Sequence, residues 1–164
     1  MKIYTLHRRQ ELPIDLATAW AFFSNPKNLE RITPPYLNLK PTSELPEKTY
    51  QGMIITYRVK PFLFPQTWVT EIKEVDEPNS FIDEQRFGPY KFWHHQHCFE
   101  AINNGVLMTD LINYALPFDP FSRIMIPIVK KQLDSIFDYR NNYLKQLFHT
   151  KGETNAQDNA VDRT

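Results

Sequence analysis

Polar and apolar residues alternate most regularly between Phe81 and Pro117, in the run FIDEQRFGPYKFWHHQHCFEAINNGVLMTDLINYALP. Alternation broken at Asn103-Asn104-Gly105 predicts two long paired strands, with a third, Phe81 to Arg86, before them. The turn decides the register. With Asn104-Gly105 as a two-residue type I′ turn, His95 faces Tyr114; with Asn103-Asn104 as the turn, His97 faces Asp110. In both registers the odd residues of the first strand share a face with the even residues of the second. That face gathers Trp93, His95, His97 and Phe99 with Met108, Asp110, Ile112 and Tyr114, against His94, Gln96, Glu100, Thr109 and Asn113 on the other. The first set is expected to be buried. Buried ionisable groups are costly unless paired or facing a cavity, so this face is the place to look for function.

The rest of the chain supplies what surrounds it. Lys2 to Arg9 reads as a first strand, and Asp15 as the N-cap of a helix carrying Leu16, Ala19, Trp20 and Phe23 on one side. A second short helix, Lys27 to Ile32, is expected to stop at Thr33-Pro34-Pro35. Tyr36 to Leu45, holding Pro41, reads as an edge strand. The strand after Gly52 puts Met53, Ile55, Tyr57 and Val59 on one face, and Pro61 to Pro65 is a loop. Gln66 to Val75 is a strand with Trp68, Thr70 and Ile72 inward; in the next, the length of the following loop decides between Phe81, Asp83 and Gln85, the favoured inward set, and Ile82, Glu84 and Arg86. Gly88-Pro89 belongs to a longer loop, because proline is disfavoured at the second central position of a type I turn.

After Pro117 comes the longest helical pattern, with Ile128, Leu133, Ile136, Tyr139, Tyr143 and Leu147 as its stripe and Pro127 at a kink or in the first turn. From Thr150 onward the chain has no aromatic residue and reads as a disordered polar tail, leaving one domain over residues 1–149. The order predicts an α+β helix-grip fold: a curved antiparallel sheet of about seven strands wrapped on a long C-terminal helix, with two short helices between strands 1 and 2.

Composition narrows the function. Net charge is zero, so no basic field is available for nucleic acid. The longest apolar run, Ile124 to Val129, is too short to span a bilayer. Met1 to Glu11 lacks a signal-peptide pattern, and the single cysteine, Cys98, excludes an internal disulfide, so a soluble cytoplasmic protein is expected. Only four glycines are present, none in a phosphate-binding loop, and no serine elbow, CxxC or HExxH occurs.

The stretches FFSNPKNLERITPP, MTDLINYALPF and IFDYR, with the histidine-rich strand, resemble the START-like (SRPBCC) superfamily of lipid-transfer domains, birch-pollen-allergen-type proteins and aromatic polyketide cyclases. The likeness runs from Lys2 to about His149 and is greatest to a bacterial branch described only as cyclase-like or ligand-binding. Gly88, Pro89 and Tyr90, then Trp93, His95, His97 and Phe99, fit that branch's pattern, as do Asp110, Tyr114, Ile136, Phe137, Tyr139 and Arg140. The resemblance implies a hydrophobic ligand cavity but supplies no reaction.

Within such a cavity, the candidate polar contacts are His95, His97, Asp110, Asp83 and Arg140, with Trp68, Trp93, Tyr57 and Tyr114 as walls. His97 with Asp110, and His95 with Asp83 or a ligand, is the preferred pairing; a network that only orders the sheet is the bland alternative. Two histidines two apart have metal-ligand spacing, yet any alternating strand gives it and no fourth ligand is evident, so neither a metal nor a cofactor is expected. Arg140 either meets these carboxylates or an anionic ligand group, or lies in solvent beside Asp138. The pattern thus favours a protein that binds a small hydrophobic or amphipathic molecule between sheet and C-terminal helix. Two alternatives stand beside it: a cyclase or dehydratase using a His–Asp pair, His95 or His97 with Asp110, as general base, and a structural or partner-binding domain.

Overall fold

A computed structural model describes residues 1–61, 63–118 and 120–161, with side chains as far as Phe148. The polar tail expected from Thr150 lies outside the residues whose side chains are described. Seven strands, β1 Tyr4–Leu12, β2 Lys40–Pro41, β3 Ile54–Val59, β4 Gln66–Asp76, β5 Ser80–Phe87, β6 Phe92–Ile102 and β7 Gly105–Ala115, form one antiparallel sheet in the order β1-β7-β6-β5-β4-β3-β2. Two α-helices accompany it, α1 Leu16–Phe23 and α2 Ile126–Val161. This is the expected α+β helix-grip architecture.

The N-cap of α1 is Asp15, whose carboxylate accepts from the Thr18 backbone N–H at 2.8 Å and from its hydroxyl at 2.7 Å. The second short helix is not an α-helix. The chain instead makes two 3₁₀ turns, Pro26–Asn28 and Pro35–Leu37, the second closed by Asn38 in the left-handed conformation at φ 45°. Proline tolerates a first turn, so Pro26 and Pro35 start short turns instead of ending a long one. The edge strand predicted over Tyr36 to Leu45 shrinks to Lys40–Pro41, beside a residue that has no N–H for the ladder.

The hairpin pairs Ile102 with Gly105 and His97 with Asp110, so Asn103-Asn104 is the turn. Gly105 is then the first residue of β7, where β1 crosses closely. A Cβ there would fall on the Leu12 carbonyl oxygen, and φ is +145°. The glycine is required by strand contact, not by the turn.

Register shifts between Val69 and Thr70 and between Ile72 and Glu74 bend β4 against β5, and extra residues of this kind curve a sheet. Its inner face is covered unevenly. Trp20 of α1 packs with Phe81, Phe99 and Met108 at one end, and Trp93, Ile112 and Tyr114 lie under Val129, Leu133 and Phe137 of α2. Met53, Ile55, Tyr57 and Ile72 form a third cluster that packs against the loops instead of α2. A space remains between the second and third clusters.

The buried stripe of α2 differs from the predicted one. It runs Ile126, Val129, Leu133, Phe137, Arg140, Leu144, Phe148, while Ile128 is 53% exposed and Tyr139 and Tyr143 are half-buried. Spacing by three and four is kept, but one member is an arginine, so an apolar search settles on the adjacent stripe. Arg8 of β1 pairs with Asp134 at 2.5 Å, and Gln10 donates to the Asn141 carbonyl at 3.1 Å, fixing how α2 crosses β1. No helix among the described residues is long and apolar enough to cross a membrane.

Replacing Gly105 by alanine should lower stability by about 1–3 kcal/mol, the usual cost of forcing extra atoms into a packed site. Urea unfolding measures this; a loss under about 0.5 kcal/mol would show that β1 and β7 do not need the close approach.

Candidate functional site

Three neighbouring strands bring four ionisable residues to one patch of the inner face. Asp83 of β5 lies opposite His95 of β6, and His97 lies opposite Asp110 of β7. His95 donates from Nε2 to Asp110 Oδ1 at 2.9 Å, and His97 from Nε2 to Asp83 Oδ2 at 2.9 Å. The other two nitrogens approach the opposite carboxylates, His97 Nδ1 at 3.0 Å from Asp110 Oδ1 and His95 Nδ1 at 3.4 Å from Asp83 Oδ2. Each imidazole therefore touches both carboxylates. The hydrogen bonds run His95 to Asp110 and His97 to Asp83, crosswise to the preferred pairing; the His97 Nδ1 approach is too oblique to count as one.

Packing locks the rings. His97 stacks on Phe81 with centroids 4.1 Å apart, and the two imidazoles are 3.7 Å apart. Thr70 reaches Asp83 from β4 at 3.4 Å. From above, Arg140 of α2 brings Nη1 to 3.8 Å from Asp110 Oδ1 and lays its guanidinium 4.7 Å from the Phe137 ring. Its Nε is buried without a hydrogen-bond partner.

Burial sets the protonation states together with these contacts. Burial alone would raise both carboxyls. The hydrogen bonds of His97 to Asp83 and of His95 to Asp110, with the His97 ring close to Asp110 as well, outweigh it and hold both below the usual carboxylate range. Burial and the neighbouring His97 push His95 down, so its ring is neutral. Burial would also push His97 down, but the contacts with Asp110 and Asp83 prevail and raise it. Burial lowers Arg140, against the pull of Asp110 and Asp83, and a guanidinium stays charged regardless. Both nitrogens of His97 face carboxylates, which suits a ring carrying both protons; with the Arg140 guanidinium, such a ring balances the two carboxylates.

Beside this cluster the space between the second and third core clusters is a hollow of about 200 Å³. Of the sequence-predicted residues, Tyr57, Trp68, Asp83, Trp93, His95, His97 and Arg140 border it. Two do not. Asp110 lies behind the imidazoles, and Tyr114, 1% exposed, is packed between the rings of Tyr4, Tyr90 and Trp93. Asp110 acts on the hollow only through the histidines. Ile136, a member of the predicted stripe, also borders it; sequence reasoning missed Gln132 and Phe137 of α2, and Leu29, Ile32 and Leu37 of the 3₁₀ segment, as lining. Tyr90 also borders it, held by Gln85, whose side chain donates to the Tyr90 carbonyl at 2.6 Å and accepts from its N–H at 3.2 Å. Gly88 is the signal for that arrangement, because a side chain there would strike Gln85.

Asp83, His95 and His97 each offer a ligand atom within 4.8 Å of the others. The set suits an ion poorly. His97 Nε2 already donates to Asp83, His95 Nε2 to Asp110, and the Arg140 cation stands beside Asp110, so a dication would break a buried hydrogen bond and meet a positive charge.

No family model matches the chain, and no curated protein matches it in sequence. Solved structures do. Protein Ms6760 from Mycobacterium smegmatis aligns at TM-score 0.66 and 19% identity over 90% of this chain and 92% of that one. TTHA0849 from Thermus thermophilus aligns at 0.64 and 15% over 90% and 99%. Norcoclaurine synthase from Thalictrum flavum, in complex with dopamine and hydroxybenzaldehyde, aligns at 0.63 and 15% over 88% of each chain. The chain shares the fold of these structures, the START-like helix-grip fold that the sequence motifs implied.

Both carboxylates titrate lower in the folded chain than in the unfolded one, so their stabilisation is full above about pH 4 and is lost as pH falls below it. Asp110→Asn should cost roughly 3–5 kcal/mol at pH 7 by leaving buried donors and cations uncompensated, lowering Tm by roughly 6–20 °C. The same variant should flatten the acid loss of stability between about pH 5 and 2, which thermal melts across that range measure. Treating the protein with EDTA and then adding zinc should leave Tm in place; a rise of several degrees on zinc would reveal an ion site instead.

Proposed function

We propose that the protein binds a small hydrophobic or amphipathic molecule in the hollow between the sheet and α2. The observation that carries this reading is the hollow's lining, with aromatic and aliphatic walls and polar groups converging at one side, the arrangement typical of ligand sites. The mix of walls and cluster favours a ligand with an apolar body and a polar end. A protein of the same fold, norcoclaurine synthase, holds the single-ring compounds dopamine and hydroxybenzaldehyde, which supports a ligand of that scale here.

A catalytic reading has one observation in its favour, the 2.9 Å contact of His95 with Asp110, since a carboxylate-oriented imidazole can serve as general base. Against it, His97 directs both nitrogens at carboxylates, and the second nitrogen of His95 faces Asp83. The one unengaged lone pair, on His95 Nδ1, is turned to the Asp83 carboxylate at 3.4 Å and not to the position of a reacting carbon. Binding is the better-supported role.

Native mass spectrometry of the purified protein should show a bound mass that disappears on denaturation. Ile136→Trp, which fills the hollow from the helix side, should abolish that mass while leaving Tm unchanged or raised by the filled volume. An empty native protein that also takes up no small apolar compound would overturn the reading.

A further inference from the structure

A cation buried in apolar surroundings is costly unless an acceptor satisfies it. Arg140 occupies a core position of α2, 7% exposed, and borders the hollow. Its approach to Asp110 is 3.8 Å, beyond hydrogen-bond reach, and its Nε has no partner. Asp110 is already engaged by His95 and His97. An arginine kept only to brace the sheet would fork onto a carboxylate at about 2.7–2.9 Å. This fork is unfilled.

The imidazoles present the complementary deficiency. Neutral His95 donates from Nε2 to Asp110, so its Nδ1 carries a lone pair, and that lone pair faces Asp83 Oδ2 at 3.4 Å. Two acceptors facing each other lack one proton. The cluster's charges already cancel, so an anion alone would leave buried negative charge and a proton alone would leave positive charge. An anion that arrives with a proton satisfies Arg140, fills the gap and keeps the site neutral.

We infer that the hollow takes a small carboxylic acid, its carboxylate forked onto Arg140 and its proton lodged between His95 and Asp83; this rests on the binding role proposed above. The volume limits the apolar body. An apolar cavity of about 150 Å³ holds one benzene ring, so 200 Å³ takes a single ring or short branched chain with its carboxyl group, not a long acyl chain. Trp68, Trp93, Tyr90 and Phe137 give that body aromatic walls.

The proton-accepting ring is surrounded on all sides by the groups already named. His97 and Trp93 flank it on β6, Asp83 faces it from β5, and Asp110 from β7. Phe137 meets it from α2, where Arg140 is the nearby charge, and Tyr57 of β3, kept protonated by burial and by Asp83, adds no charge. Burial and His97 hold His95 neutral in the empty site, and a carboxylate placed beside it favours the imidazolium.

Isothermal titration of the full chain with phenylacetate and with phenylacetamide, each in two buffers of different ionisation enthalpy, tests the assignment. The acid is expected to bind at least about tenfold more tightly than the amide, the worth of one charged hydrogen bond. It should take up close to one proton, so that its affinity falls toward tenfold per pH unit above neutrality, while the amide takes up none. Arg140→Met, which keeps the apolar stem, should erase the preference for the acid and leave amide binding within about threefold. Should that variant not fold, Arg140→Lys keeps the charge without the fork and should cut the acid preference several-fold. Equal affinities, or an acid preference that survives loss of the guanidinium, would sink the carboxylate assignment while leaving the hollow as a site for neutral molecules. If neither compound binds, the assignment fails, and the bound mass in native spectrometry decides the broader binding role separately.

Discussion

The constraint on which this structure depends is the cost of holding charge away from water. Asp83, Asp110, His95, His97 and Arg140 occupy the interior, all but Asp83 under a tenth exposed, where an uncompensated charge costs several kcal/mol. Their burial is tolerable because three adjacent strands and one helix deliver opposite charges to the same few ångströms. Any slip of register by one residue would turn the histidines outward and leave the carboxylates alone. The network thus ties the pairing of β5, β6 and β7 to the placement of α2, and the sheet cannot be rearranged without breaking it.

Much of this was legible in the sequence, for definite reasons. Strict alternation through FWHHQHCFE puts His95 and His97 on one face, and the apolar residues beside them mark that face as the inward one. The inward face of β5 depended on the length of the loop at Gly88-Pro89, with Phe81, Asp83 and Gln85 favoured over Ile82, Glu84 and Arg86, and Asp83 does border the hollow. The register of the hairpin stayed open between two turns because the glycine that usually marks a type I′ turn serves here to let Leu12 pass. A contact between strands nearly a whole chain apart leaves no local trace.

The helix was misread for a different reason. A search for apolar periodicity cannot see a stripe whose central member is arginine, so it chose the neighbouring face with Tyr139 and Tyr143. Arg140 was singled out as a candidate, but its depth was not foreseeable. The walls contributed by Leu29, Ile32 and Leu37 escaped because proline-started 3₁₀ turns have too few residues for any period to appear. Sequence reading was thus sound where a repeat of two or of three-to-four was long and uniformly apolar, and it failed where function had replaced an apolar residue.

The pairing of β1 with β7 also governs how the protein comes into being. The strand made first has no partner until the strand made last of the seven is available, and its neighbour contributes Gly105 more than ninety residues after Leu12. Contacts so far apart in sequence are slow to form because a long loop must close first. Until then the edges of both β1 and β6 stand open to other chains, so the nascent polypeptide is at its most vulnerable to aggregation just before the hairpin turn at Asn103-Asn104 is completed.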